Sequence, residues 1–395
     1  MPTEYLNLKI VLILTVGFSL AAILGYFTQR LKLSPILGYL LAGYLIGPYF
    51  PGFVADIKVA EQLAEIGVIL MMFGVGLHFK WRDLMDVKNI AIPGAIGQTI
   101  IAAIAGALII YMQGWSIEAG IIFGLAIGVA STVVLVRVLT DHHLLNTTQG
   151  HICVGWLIVE DIITVLVLLL VPSLAVGHEY TVQAIALSIL YALLKFLMLA
   201  VLMFTVGRAC VSYALSKIVH TRSHELFTLT VLALTFIIAT GSAIIFGTSI
   251  ALGAFIAGMV IGQTNVRKQV SKNTMPLKDA FVVIFFLSVG MIFNPYAIAS
   301  HFFLFISILA VILLLKPLTA FLITYASKYP FKTALTVSLA LAQIGEFSFI
   351  LAEEAMKYKI FPDEGYDILV ACALVSISIN PLLFRFLPQE NQGAG

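Results

Sequence analysis

Ser34-Pro-Ile-Leu-Gly-Tyr-Leu-Leu-Ala-Gly-Tyr-Leu-Ile-Gly47 returns later in the chain as Ser249-Ile-Ala-Leu-Gly-Ala-Phe-Ile-Ala-Gly-Met-Val-Ile-Gly262, with seven of fourteen positions identical. At nearly the same offset, Leu63, Glu65, Val68, Val75, Gly76 and Phe79 meet Leu277, Asp279, Val282, Val289, Gly290 and Phe293. Apolar helices share composition, so single matches mean little. Two neighbouring segments that agree at one offset point to an internal duplication. The glycines and alanines at a spacing of four, Gly38/Ala42 and Gly253/Ala257, suit close helix packing.

The duplicated unit belongs in lipid. Of the 395 residues, 61% are hydrophobic and 11% charged. A water-facing domain carries about 25% charged residues. Spanning the hydrocarbon takes about 20 largely apolar residues per helix. About thirteen such stretches are expected, centred near Gly17, Leu41, Leu70, Ala102, Ile127, Asp161, Leu194, Leu234, Ala254, Phe286, Ile312, Ile344 and Leu374. The first is too long for a signal peptide and leads straight into further apolar runs.

The connections carry their lysines and arginines unevenly, roughly sixteen on one side against four on the other. The crowded side holds, among others, Arg30, Lys32, Lys80, Lys268 and Arg385, and the sparse side Lys9, Lys58, Lys357 and Lys359. The positive-inside rule then places the amino terminus outside and the carboxyl terminus in the cytoplasm. The offset maps spans one to six onto spans eight to thirteen and leaves the seventh as a linker. An odd number of spans between copies inverts the second copy. Inverted repeats are a transporter architecture, with the ion site at the midplane.

A charge at bilayer depth costs at least about 2.5 kcal/mol, so the exceptions are functional candidates. Glu160 and Asp161 lie within Val154-Gly-Trp-Leu-Ile-Val-Glu-Asp-Ile-Ile-Thr164. Lys316 lies within Val311-Ile-Leu-Leu-Leu-Lys-Pro-Leu318, and Glu346 within Leu341-Ala-Gln-Ile-Gly-Glu-Phe-Ser-Phe349. Lys195, in the linker helix, has no repeat counterpart and reads as structural. Span five carries Gly128-Val-Ala-Ser-Thr132, and its counterpart carries Ala342-Gln-Ile-Gly-Glu346, so that Thr132 falls opposite Glu346. Matched polar interruptions in two inverted halves predict two broken helices crossing in the core.

Burial disfavours the charged form of a carboxyl group. Such a group holds either a proton or a dehydrated monovalent cation, and that competition is enough to couple the two fluxes. On this reading the ion-binding set is Asp161, Glu160, Ser131, Thr132 and Gln343, with the monovalent cation at Asp161. Lys316 and Glu346 compensate charge, the lysine by neutralising Asp161 when no cation is bound.

Other classes are poorly served. A net charge of +2 without a basic run does not suit nucleic acid. Cys153, Cys210 and Cys372 fit no metal or redox spacing and read as packing residues. Neither H-E-x-x-H nor a nucleophilic serine motif occurs, and two carboxyls adjacent on one helix do not oppose each other as aspartyl catalysis requires, so no enzyme is expected. A cation channel is the alternative, although no T-V-G-Y-G filter is present.

These residues together resemble the monovalent cation:proton antiporter-2 family, especially its Kef-type potassium/proton antiporters. The resemblance runs through Ser34–Gly47, Ser131-Thr132, Glu160-Asp161, Lys316 and Gly345-Glu346-Phe347. It implies a sodium/proton-antiporter-like fold in which 1–87 and 211–298 form a dimerising scaffold, 88–175 and 299–390 a moving core, and 176–210 the linker helix. It also implies a homodimer in a bacterial inner membrane, with potassium or sodium and protons as substrates and no cofactor in this chain. Asp161 matches the family's ion-binding aspartate and Lys316 its core lysine. Many Kef-type proteins have glutamine where this chain has Glu160, and many continue into a nucleotide-binding regulatory domain. No G-x-G-x-x-G follows an expected strand here, so that domain is not expected within this chain.

Overall fold

A computed structural model describes residues 9–31, 33–51, 55–78, 81–175, 182–360, 362–384 and 387. Lys32, Phe79, Lys80 and Arg385 lie outside the described residues. The described chain is helical throughout. In order it forms Lys9–Arg30 (α1), Pro35–Ile46 (α2), Ile57–His78 (α3), Trp81–Met112 (α4), Ile117–Gly128 (α5), Thr132–Asp141 (α6) and Thr148–Ala175 (α7). Val182–Leu202 (α8), Arg208–Val219 (α9), His224–Phe246 (α10), Ile250–Gly262 (α11) and Arg267–Ile292 (α12) follow. Tyr296–Ser300 (α13), Phe302–Ala310 (α14), Lys316–Ala326 (α15), Phe331–Ala340 (α16), Glu346–Lys357 (α17) and Asp363–Leu383 (α18) complete it.

Among the described residues, nine helical stretches are long and apolar enough to cross a membrane. Four shorter apolar helices, α2, α5, α11 and α16, accompany them. A membrane span must satisfy its backbone internally, which is why the chain has adopted helices rather than open strands.

The contacts divide the chain into two units. One comprises 1–23, 39–80 and 165–292; the other comprises 24–38, 81–164 and 293–395.

In the first unit α3 packs on both α11 and α12, and α10 packs on α11. Lipid tails are as apolar as leucine, so helices associate by close packing rather than by leaving water. Glycine permits that approach. A Cβ on Gly43 would run into the Leu287 carbonyl oxygen, and one on Gly290 into that of Leu40. The same exchange recurs between α3 and α11, where Gly258 lies on the Phe73 carbonyl and Gly76 on that of Phe255. Gly43 and Gly258 are matched positions of the repeated segment, as are Gly76 and Gly290. The repeated glycines therefore make the same contact twice.

In the second unit α4 packs on α5 and α15, α15 on α16, and α5 on α17. Between α14 and α15 the residues Val311–Leu315 form a π-helical turn, and the Lys316 N–H reaches back to the Val311 carbonyl. Pro317 has no N–H to continue the α-helical ladder. The widened turn sets the direction in which Lys316 leaves its helix, and its side chain is 1% exposed.

Candidate functional site

The second unit holds two interrupted helices. The first breaks between α5 and α6, where Val129 (φ −91, ψ 136) and Ser131 (φ −79, ψ 124) are extended. The second breaks between α16 and α17, where Gly345 (φ −122, ψ −175) is extended. The breaks touch: a Cβ on Gly345 would lie 2.6 Å from Ser131 Cα. Any residue could adopt the Gly345 backbone angles. Close approach, not conformation, requires glycine there.

Each broken end frees backbone donors and acceptors that must find partners away from water. The Ser131 N–H donates to Gln343 Oε1 at 2.8 Å, and Gln343 Nε2 donates to the Ser131 carbonyl at 3.1 Å. The Ala130 N–H donates to Glu160 Oε2 at 2.8 Å. Its counterpart in the second break, Ile344, directs its N–H to Ser376 Oγ at 3.5 Å. Lys316 Nζ donates to the Gln343 carbonyl at 2.9 Å, and Asn380 Nδ2 to that of Leu339 at 2.7 Å. Ser348 Oγ donates to the Ala126 carbonyl at 2.6 Å, tying the start of α17 to the end of α5.

The charges follow the helix ends. Ser131 Oγ accepts from the Val134 N–H at 3.3 Å as the α6 N-cap and donates to Glu346 Oε2 at 2.8 Å. Glu346 is the first residue of α17. A carboxylate therefore lies at the electropositive starts of α6 and α17, while the Lys316 ammonium lies by the carbonyl end of α16.

Asp161 is placed differently. Its Oδ1 is buried and has no hydrogen-bond partner among the described residues, and neither does Thr132 Oγ1. The carboxylates of Glu346 and Glu160 act on Asp161 through their charge.

Four of the expected site residues have partners of their own. The Lys316 ammonium and the Glu160 carboxylate attract each other. Glu160 accepts from the Ala130 N–H and, through Oε1 at 2.6 Å, from Gln98 Nε2. Gln343 commits both ends of its amide to the Ser131 backbone. The Ser131 hydroxyl is likewise taken by Glu346 and Val134. Of the expected ion-binding set, Asp161 and Thr132 keep unpartnered oxygens.

Sequence reasoning missed Gln98, Ser348, Ser376 and Asn380, all fully buried around the breaks. Their signal is present: each is a polar residue inside an apolar run, and a buried polar group needs a partner. Which partner is a matter of tertiary placement.

Residues 18–388 match the family model described as sodium/hydrogen exchanger, transmembrane. An Escherichia coli (strain K12) protein, YbaL, which carries a cation/proton antiporter name, is 46% identical over 94% of this chain and 67% of its own length. K(+) efflux antiporter 4 of Arabidopsis thaliana is 29% identical over 89% of this chain and 60% of its own. The structure of the sodium proton antiporter MjNhaP1 from Methanocaldococcus jannaschii superposes with a TM-score of 0.69 at 19% identity, covering 97% of this chain and 99% of that one. With its membrane-length helices and crossed interruptions, the chain belongs to the transmembrane sodium/hydrogen exchanger family, a family of transporters.

Proposed function

We propose that this protein exchanges a monovalent cation, potassium in preference to sodium, for protons by alternating access. The two substrates compete for Asp161. The observation that carries the reading is the unpartnered, buried Asp161 Oδ1, whose charged neighbours are themselves carboxylates.

The local charge balance explains why such a site takes a cation. Asp161 interacts with the carboxylates of Glu346 and Glu160, and Glu160 in turn with one ammonium, Lys316. Fully ionised, the group carries an excess of negative charge in a medium where unpaired charge is costly. A bound cation relieves the excess, and so do protons. Each therefore displaces the other, which is the coupling that antiport needs. Glu160 serves as the fixed counter-charge of Lys316 and as the pin for the first break, and Thr132 joins Asp161 at the cation.

The matched glycine contacts and the matched Ala130 and Ile344 donors support two inverted six-helix repeats among thirteen spans. In this reading 88–175 and 299–390 carry the site between the faces. The helices of 1–87 and 211–298 form the dimerising scaffold, and 176–210 links them. The amino terminus is outside and the carboxyl terminus cytoplasmic, in a bacterial inner membrane. The names of YbaL and the plant efflux antiporter favour cation/proton exchange and potassium.

In everted vesicles, addition of potassium should collapse a preformed pH gradient when the protein is present. Collapse that persists undiminished in Asp161→Asn would rule out the competition at this carboxylate. Single-channel currents from reconstituted protein would replace alternating access with a pore.

A further inference from the structure

Many helical threonines among the described residues satisfy their hydroxyls within their own helix, whereas Thr99, Thr132 and Thr248 leave theirs buried without a partner. Eleven described helical threonines, Thr164 and Thr324 among them, donate to the carbonyl four residues back. That bond is the easy way to satisfy a hydroxyl in a helix surrounded by lipid. Thr99, in the interior of α4 and 2% exposed, does not make it. Its Oγ1 is buried with no partner among the described residues. The preceding residue repeats the anomaly: Gln98 spends its Nε2 on Glu160, and its Oε1 is buried without a partner.

Both residues lie against the first break. Thr99 Cγ2 is 3.3 Å from where a Cβ of Gly128, the last residue of α5, would stand. Gln98 contacts Glu160, the neighbour of Asp161 in α7. Four buried oxygens without a partner thus belong to residues of the first break or to residues that touch it or its partner Glu160: Gln98 Oε1, Thr99 Oγ1, Thr132 Oγ1 and, on the neighbour of Glu160, Asp161 Oδ1. One is a carboxylate oxygen and three are neutral dipoles.

We propose that Gln98 and Thr99 contribute neutral oxygens to the coordination shell of the transported, dehydrated alkali cation and thereby set its selectivity. The inference rests on the exchange proposed above. A hard monovalent cation that sheds its water needs several oxygens, and the number and field strength of neutral dipoles around it separate potassium from sodium. A single carboxylate would supply attraction without discrimination. A helix hydroxyl released from its own backbone, beside an amide held by its nitrogen end, supplies the missing dipoles in fixed positions. Buried water is the competing occupant, since it too satisfies orphaned oxygens.

The test is exchange by the purified full chain in proteoliposomes, measured against potassium, sodium and lithium concentration. Thr99→Val keeps the shape and removes the oxygen. Half-saturation by the preferred cation should rise about tenfold, and the potassium-to-sodium ratio should change by about threefold or more. Thr99→Ser should restore both to within about twofold. If Thr99→Val fails to assemble, Thr99→Ala carries the same expectation. A uniform loss of rate with an unchanged cation ratio would overturn the proposal in favour of a water or packing role. Absence of exchange by the unsubstituted protein would defeat the antiport reading as well; exchange that is indifferent to Thr99 defeats only this one.

Discussion

The side chain of Gln343 and the backbone of Ser131 form a closed two-bond ring, 2.8 Å in one direction and 3.1 Å in the other. Gln343 thereby replaces the helical bond that the Ser131 N–H lacks at the break, and adds a second donor to a carbonyl that already accepts from the Leu135 N–H at 3.1 Å. Glu160 does the same for the Ala130 N–H, and Lys316 for the Gln343 carbonyl. The two breaks are held open by each other and by three neighbouring helices.

Gln343→Leu should therefore destabilise the protein sharply. It orphans the buried Ser131 N–H, worth about 1–3 kcal/mol, and leaves the Ser131 carbonyl only the Leu135 N–H at 3.1 Å. Thermal unfolding of the purified protein should fall well below the wild type, while Gln343→Glu, which keeps an acceptor for the Ser131 N–H, should be milder. Equal melting of all three would remove the ring from the account.

Gly345→Ala should separate the two breaks. The new methyl would meet Ser131 Cα and N, at 2.6 and 2.7 Å, and backbone does not yield as a side chain does. Exchange should drop by at least about tenfold, the scale of an ångström-level displacement at a site. Gly241→Ala, where nothing lies within 4 Å, is the control and should behave as wild type.

Lys316→Met takes the attracting ammonium from the buried Glu160 and a donor from the Gln343 carbonyl, and should lower the unfolding midpoint. Pairing it with Glu160→Gln should recover part of that loss, because the charge left unpaired is then gone. A double-mutant cycle on unfolding midpoints would reveal the coupling. Strict additivity would mean that Lys316 answers to another group.

Gly43→Val and Gly258→Val should damage the protein to similar degrees, since each glycine accepts the carbonyl oxygen of a facing helix at matched points of the repeat. Detergent-extracted yield and melting temperature are the measurements. A large effect at one position alone would show that the two contacts are not equivalent in energy.

The sequence was most legible where lipid constrains it. Apolar length located the helices, and the paired polar interruptions near Ser131 and Gln343 located the breaks, because an unwound segment in a membrane must be announced by groups that can satisfy it. The roles of individual oxygens were not legible. Glu160 and Asp161 are adjacent and chemically alike, and burial alone treats them the same. They differ because α4 brings Gln98 to one and the first break presents an N–H to it, whereas the other has no such donor. The direction of Lys316 is likewise not legible, since helix rotation and the π-helical turn before it are invisible in a run of leucines. Asn380, near the end of the last helix, is fully buried and holds the Leu339 carbonyl at the end of α16, a partner that only tertiary placement assigns.

The central claim is that one carboxylate serves cation and proton in turn. The most direct measurement is proton release on potassium binding to purified protein, compared with Asp161→Asn. The account predicts that potassium displaces protons from the unsubstituted protein and displaces none in the variant, whose thermal stability should also cease to respond to potassium. Undiminished proton release from Asp161→Asn would contradict it.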